Sequence, residues 1–172
     1  FFTCEGAPNY PYWPTETNAL KPGSQRQIME LPVSAGFNIT NFNLGETVHN
    51  AFSAPSIAWS KIIGVLWHTK LLRKIYLSPE LSCADNMNML IDKCLENKHP
   101  VIHMYLHSSS LIDGATGLLN VDNAIESIVE RTKMSISHLH NRANVQFCTI
   151  SEAAHLLKQQ HISDIIRCRE AG

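Results

Sequence analysis

Short apolar runs alternate with segments of helical periodicity along most of the chain. Ile28–Val33, Val101–Leu106 and Val145–Thr149 have strand length, and helical patterns follow the last two at 121–140 and 151–160. This alternation is typical of parallel strands joined by right-handed helical crossovers. A closed eight-stranded barrel needs about 250 residues, so the sequence predicts an α/β fold that is either a piece of a barrel or an open sheet.

Two further helices are predicted from apolar residues spaced three and four apart. One covers 84–97, and the other covers 57–76 and is amphipathic. Residues 36–55 are polar and are expected to be irregular. We expect 1–172 to be a single domain, with 1–56 a loop-rich strap that contains a short strand and 57–172 the helix and strand units. The predicted face of the 84–97 helix consists of Met87, Leu90, Ile91, Cys94 and Leu95.

Composition narrows the class of protein. Hydrophobic residues make up 44% and charged residues 17% of the 172 residues, with a net charge of −1 and scattered lysines and arginines. This balance predicts a globular chain and argues against a nucleic-acid partner. No apolar run reaches the ~20 residues of a membrane span. The five cysteines are odd in number and form no C-x-x-C pair, which favours a reducing, cytoplasmic location over a disulfide framework or zinc ribbon.

His107 is the candidate catalytic residue. It follows the Val101–Leu106 run and precedes Ser108, Ser109 and Ser110. In parallel α/β folds the carboxyl ends of strands carry the functional groups, and an imidazole there can transfer a proton near neutral pH. Ser108 and Ser109 are candidate substrate-binding residues for a sugar or phosphate oxygen, although such hydroxyls equally cap loops.

Other candidates are open to two interpretations. Tyr12 and Trp13 lie in a proline-rich loop, where they either stack on a sugar ring or pack over the core. His99 and His103 share the four-residue spacing of His107, but strand rise separates them by roughly 13 Å per step. They cannot share a metal ion, and we expect His103 to be a core residue and His99 to lie in a surface loop. The sequence contains no His, Asp or Cys group at metal-ligand spacing, so we expect no metal bound by this chain.

Several stretches together resemble the C-terminal region of polysaccharide deacetylases of the NodB-like superfamily, in a WalW-like branch. The most specific is Val101–Leu111, with its His-Ser-Ser-Ser-Leu sequence. The others are Pro11–Pro14, Leu20–Gly23, Ile28–Ser34, Leu77–Glu80 and Phe147–Ala153.

The resemblance implies a distorted (β/α) barrel and the removal of acetyl groups from an N-acetyl sugar of a surface polysaccharide. In this family a divalent metal, zinc or similar, activates water, and a histidine in a leucine-histidine motif protonates the leaving amine. Leu106-His107 matches that motif. The resemblance therefore implies that His107 is the general acid and that the fold is a partial barrel of the polysaccharide-deacetylase type, with parallel strands alternating with helices.

The family's metal motif, H-[S/T]-x-x-x-H, and its Asp-Asp pair do not occur in this sequence. The resemblance thus implies a C-terminal fragment whose activity requires the metal-binding half of a full-length parent. The alternatives are a non-catalytic carbohydrate-binding or scaffolding domain, and a hydrolase that uses His107 with a serine but lacks a G-x-S-x-G elbow. An exposed edge of the predicted sheet would favour a homo-oligomer.

Overall fold

α-Helices supply most of the regular structure. The computed structural model describes residues 6–24, 26–54, 60–119 and 121–170, with the backbone alone over 161–170. Two β-strands also occur in these residues, β1 (Ala35–Phe37) and β2 (Lys74–Tyr76), and a 3-10 helix spans Ser108–Leu111. The α-helices are α1 (Phe42–Ser53), α2 (Ile62–His68), α3 (Ala84–Glu96), α4 (Ala124–His140) and α5 (Ile150–Glu170).

The chain divides into two compact units. The first comprises Phe1–Pro32 and Val145–Gly172, and the second is Val33–Asn144. A compact unit is not necessarily a separate folding domain, so the single-domain assignment of 1–172 stays a prediction.

In the first unit, the proline-rich loop is held by backbone bridges. Tyr12 and Glu30 exchange hydrogen bonds of 3.1 and 2.8 Å. The Lys158 ammonium group of α5 donates to the carbonyl oxygen of Gln27 at 3.1 Å. The strand predicted at Ile28–Val33 is reduced to this single bridge, because Pro32 has no N–H group to extend it.

The core of the second unit lies between α3 and a small antiparallel sheet. β1 pairs with β2 in the register Gly36 opposite Ile75. The apolar face predicted for α3 is confirmed, since Met87, Leu90, Ile91 and Cys94 are at most 1% exposed and Leu95 packs against them. The remaining buried members of the cluster are Phe37, Phe42, Leu72, Ile75 and Leu77.

The predicted parallel α/β fold and partial barrel are wrong. Among the described residues the only sheet is the two-stranded antiparallel pair. Val101–Leu106 is not a strand. Its backbone makes isolated hydrogen bonds, from Ser34 N–H to the carbonyl of His103 and from Tyr105 N–H to the carbonyl of Leu77, while the N–H of His103 goes to the Ser34 hydroxyl. Val145–Thr149 is mostly exposed, with Phe147 at 66%, and thus buries no apolar face.

Two local predictions are also corrected. The helix predicted over 57–76 is helical only at α2 within the described residues, because Lys70 adopts a φ of 60° and the chain then enters β2. Residues 55–59 lie outside the described residues. The segment expected to be irregular, 36–55, contains α1, which begins where the Asn41 side chain accepts from the N–H of Leu44 at 3.0 Å.

Candidate functional site

His107 lies where the extended segment 101–106 ends and the 3-10 helix begins. Its backbone is extended, with φ −93° and ψ 133°, and its carbonyl oxygen accepts from the N–H of Ser110 at 3.0 Å. The imidazole is 60% exposed. The predicted catalytic residue therefore presents its ring to solvent from a fixed backbone position.

Glu80 holds this imidazole through two contacts. The Nδ1 atom of His107 lies 2.6 Å from Oε1 of Glu80, and the backbone N–H of His107 donates to Oε2 at 3.2 Å. The Glu80 side chain has no exposed surface. Arg131 of α4 fixes the turn before it by donating to the carbonyl oxygen of Pro79 at 2.9 Å. A buried carboxylate is thus paired with an exposed imidazole.

Hydrogen bonds keep the buried carboxylate ionised. Burial by itself raises the pKa of Glu80, since a charge loses its hydration. Side-chain hydrogen bonds from Ser110 and His107, the backbone N–H of His107 and its charge outweigh burial and hold the pKa of Glu80 below its usual value.

The charge of Glu80 determines which ring nitrogen carries the proton. An ionised carboxylate only accepts hydrogen bonds, so Nδ1 of His107 must donate to it. Nε2 is then the nitrogen available to a ligand, as an acceptor in the neutral ring and as a donor in the charged ring. Tyr105 packs edge-on beside this ring, with centroids 6.1 Å apart, and burial together with Tyr76 and Glu80 raises the pKa of Tyr105. The arrangement can transfer a proton to a bound group.

The other predicted site residues divide between the two units. Ser108 and Ser109 are exposed and directly follow His107, which agrees with a binding role but does not test it. Tyr12 is 6% exposed and its hydroxyl donates to the carbonyl oxygen of Ala19 at 2.8 Å, an arrangement typical of a packed strap. Trp13 is half-buried. Tyr12 and Trp13 belong to the first unit, so their predicted role in binding the same substrate as His107 stays a prediction.

Sequence reasoning missed Glu80. It closes Leu77–Glu80, a stretch included in the family resemblance. One sequence feature could have indicated Glu80. Its carboxylate comes just after the apolar residues Ile75 and Leu77, as His107 comes just after the apolar run 101–106.

Histidines elsewhere pack or form ion pairs. His99 contacts Phe42 edge-on at 5.8 Å, and burial lowers the pKa of His99. His138 lies 2.9 Å from Asp92 and joins α4 to α3. Within the described residues no group of three His, Cys, Asp or Glu side chains could hold a metal ion. These residues therefore do not fit the divalent metal that the family resemblance implies.

Comparisons with protein-family models, with curated proteins and with solved structures found no match. The resemblance to polysaccharide deacetylases thus stays a prediction that rests on the quoted residues. Of the helices in the described part of the chain, none is long and apolar enough to cross a membrane.

Proposed function

We propose that His107, oriented by Glu80, is the general acid of a polysaccharide deacetylase-like hydrolase that removes acetyl groups from an N-acetyl sugar. The observation that supports this role is the 2.6 Å contact between Nδ1 of an exposed imidazole and a fully buried carboxylate. The substrate class rests on the resemblance of Leu106-His107 and the following serines to the family. Ser108 and Ser109 would bind hydroxyl groups of the carbohydrate.

In the proposed step, the bond between the acyl carbon and the sugar nitrogen breaks after water has added to the carbon. The imidazolium of His107 gives its Nε2 proton to the leaving nitrogen. The neutral ring keeps the proton on Nδ1, which continues to donate a hydrogen bond to Glu80. The adjacent carboxylate stabilises the imidazolium before transfer. The divalent metal is assigned to the metal-binding half of the parent protein, so we expect this chain alone to be inactive.

The partner and the location belong to the same proposal. The N–H groups of His103, Tyr105 and His107 bond inward, to Ser34, Leu77 and Glu80. The N–H groups of the alternate residues Ile102, Met104 and Leu106 have no partner among the described residues. This open edge supports the proposed homo-oligomer, which sedimentation of the purified chain would detect.

Free thiols at Cys83, Cys94 and Cys148 support a reducing, cytoplasmic location.

The test is His107→Ala in the parent protein, assayed for acetate release from an N-acetylated oligosaccharide. Loss of a general acid lowers turnover by about 10²- to 10⁴-fold. Removal of the Nδ1 donor to the buried Glu80 carboxylate should also lower the melting temperature, so turnover is compared per folded molecule. His68→Ala, which removes an exposed histidine of α2, is the control and should retain turnover.

Full turnover in a folded His107→Ala protein would end the catalytic assignment. If oligosaccharide binding persisted in a parent with no deacetylation at all, the non-catalytic carbohydrate-binding alternative would gain support. A serine hydrolase requires a serine hydroxyl bonded to Nε2, and among the described residues no serine makes that bond to His107.

A further inference from the structure

We infer that Tyr105 is a substrate-binding residue of the His107 site, and that its phenol hydroxyl donates a hydrogen bond to the carbohydrate bound at Nε2 of His107. The identity of the ligand as an N-acetyl sugar rests on the proposed function. The proximity of the two side chains is a property of the second unit, and its role in binding can be measured without turnover.

Tyr105 borders the imidazole directly. The two rings meet edge-on, with centroids 6.1 Å apart and planes at 84°. Tyr105 is half-buried and the His107 ring is 60% exposed. A ligand that reaches Nε2 of His107 therefore arrives beside the phenol ring of Tyr105.

Backbone hydrogen bonds fix both residues. The N–H of Tyr105 donates to the carbonyl oxygen of Leu77 at 3.2 Å, and the N–H of His107 donates to Oε2 of Glu80 at 3.2 Å. Leu77 and Glu80 are three residues apart, so Tyr105 and His107 are bound to one short stretch of chain. The two rings are thus held in place before a ligand binds, which reduces the entropy that binding costs.

The hydroxyl group of Tyr105 is available to a ligand. It makes no hydrogen bond among the described residues, and its oxygen is not sealed from water. A half-buried tyrosine packs its ring against the protein while its hydroxyl reaches solvent. Burial raises the pKa of Tyr105, so the hydroxyl keeps its proton and is a donor at neutral pH.

The hydrogen-bonding groups of Tyr105 and His107 suit an N-acetyl sugar. Nδ1 of His107 is engaged with Glu80, which leaves Nε2 as an acceptor in the neutral ring and a donor in the charged ring. The phenol hydroxyl donates in both states. The acetamido carbonyl and the hydroxyl oxygens of the sugar accept such a bond, so Tyr105 contributes to binding whatever the charge of His107.

The alternative is that Tyr105 only packs against His107 and that its hydroxyl does nothing. Tyr105→Phe separates the two roles, because it keeps the ring beside the imidazole and removes the hydroxyl alone. Since that hydroxyl makes no hydrogen bond among the described residues, the melting temperature should not fall.

The experiment titrates the isolated chain with an oligosaccharide of N-acetylglucosamine and measures Kd from NMR chemical-shift changes. Tyr105→Phe should weaken binding by about three- to tenfold, the size of one neutral hydrogen bond. Tyr10→Phe makes the same chemical change at a tyrosine of the first unit that is 47% exposed, and it should bind as the wild type does.

Kinetics of the parent protein add a second readout. Tyr105→Phe should raise KM and leave kcat nearly unchanged, because the hydrogen bond is present in both the ground state and the transition state. A purely packing role would change neither constant.

Equal Kd values for Tyr105→Phe and the wild type would overturn the inference, and so would a wild-type chain that does not bind the oligosaccharide. The proposed function fails separately. Full turnover in a folded His107→Ala parent would refute the general acid, whereas weaker binding by Tyr105→Phe would still assign Tyr105 to the binding site.

Discussion

A buried carboxylate is costly unless protein donors replace its lost water. Glu80 has such donors in the side chain and the backbone N–H of His107. These bonds serve two purposes at once, since they offset the burial of Glu80 and they fix the proton of His107 on Nδ1. The proposed function and the stability of the chain are therefore coupled at Glu80, and replacing it should alter both.

We predict that Glu80→Gln destabilises the chain by about 1–3 kcal/mol at neutral pH, the cost of weakening charged hydrogen bonds in a buried place. The folded pKa of Glu80 lies below its usual 4.5. The stabilisation from its charge is thus fully present above pH 4.5 and is lost as the pH falls through the lowered pKa. Urea unfolding at a series of pH values should show the difference from wild type shrinking in acid.

Glu96→Gln is the matched control. Glu96 is an exposed carboxylate whose pKa is lowered mainly by hydrogen bonds from Lys93 and Thr40. Its replacement should have a much smaller effect at neutral pH, because water can take over its bonds. Equal stability of Glu80→Gln and wild type at neutral pH would show that the buried pair contributes nothing to the fold.

At the scale of elements, helical periodicity was right for α3 but overextended the helix at 57–76, and strand length was not a reliable signal. The face of α3 was predictable because its apolar residues recur at the helical period and all pack on one core. Within α4 burial does not follow the apolar residues alone, since Ile125 is 52% exposed whereas Ser135 is fully buried. The runs predicted as strands make only isolated backbone bonds, and pairing depends on distant residues such as Ser34, which local pattern cannot reveal.

Packing of α1 against β1 gives an element-scale prediction. A Cβ atom on Gly45 would lie 2.6 Å from Cγ of Phe37, at the base of a buried ring. Overpacking of this kind costs about 1–3 kcal/mol, so Gly45→Ala should lower the free energy of unfolding despite the better helix propensity of alanine. Chemical denaturation measures the change.

Gly64 offers the complementary control within α2. A Cβ atom there meets nothing within 4 Å among the described residues. Gly64→Ala should therefore stabilise the chain by up to about 1 kcal/mol, the difference in helix propensity. A stabilising effect at Gly45 as well would mean that Phe37 does not hold α1 as described.

At the scale of the whole molecule, the architecture could not be predicted from the sequence, because a barrel needs several strands to pair and the described residues form only one two-stranded sheet. The catalytic role of His107 stays a prediction. The sequence shows its place between an apolar run and serines, and the structure adds the contact with the buried Glu80. The functional proposal consequently rests on the Glu80–His107 pair, independently of the overall fold.

The most direct test of that pair is a double-mutant cycle on deacetylation by the parent protein. If Glu80 acts through His107, Glu80→Gln lowers turnover by itself, whereas adding it to His107→Ala lowers turnover no further. The account predicts that the double variant and His107→Ala have equal rates. Losses from the two substitutions that multiply in the double variant would contradict it, because the two residues would then act independently.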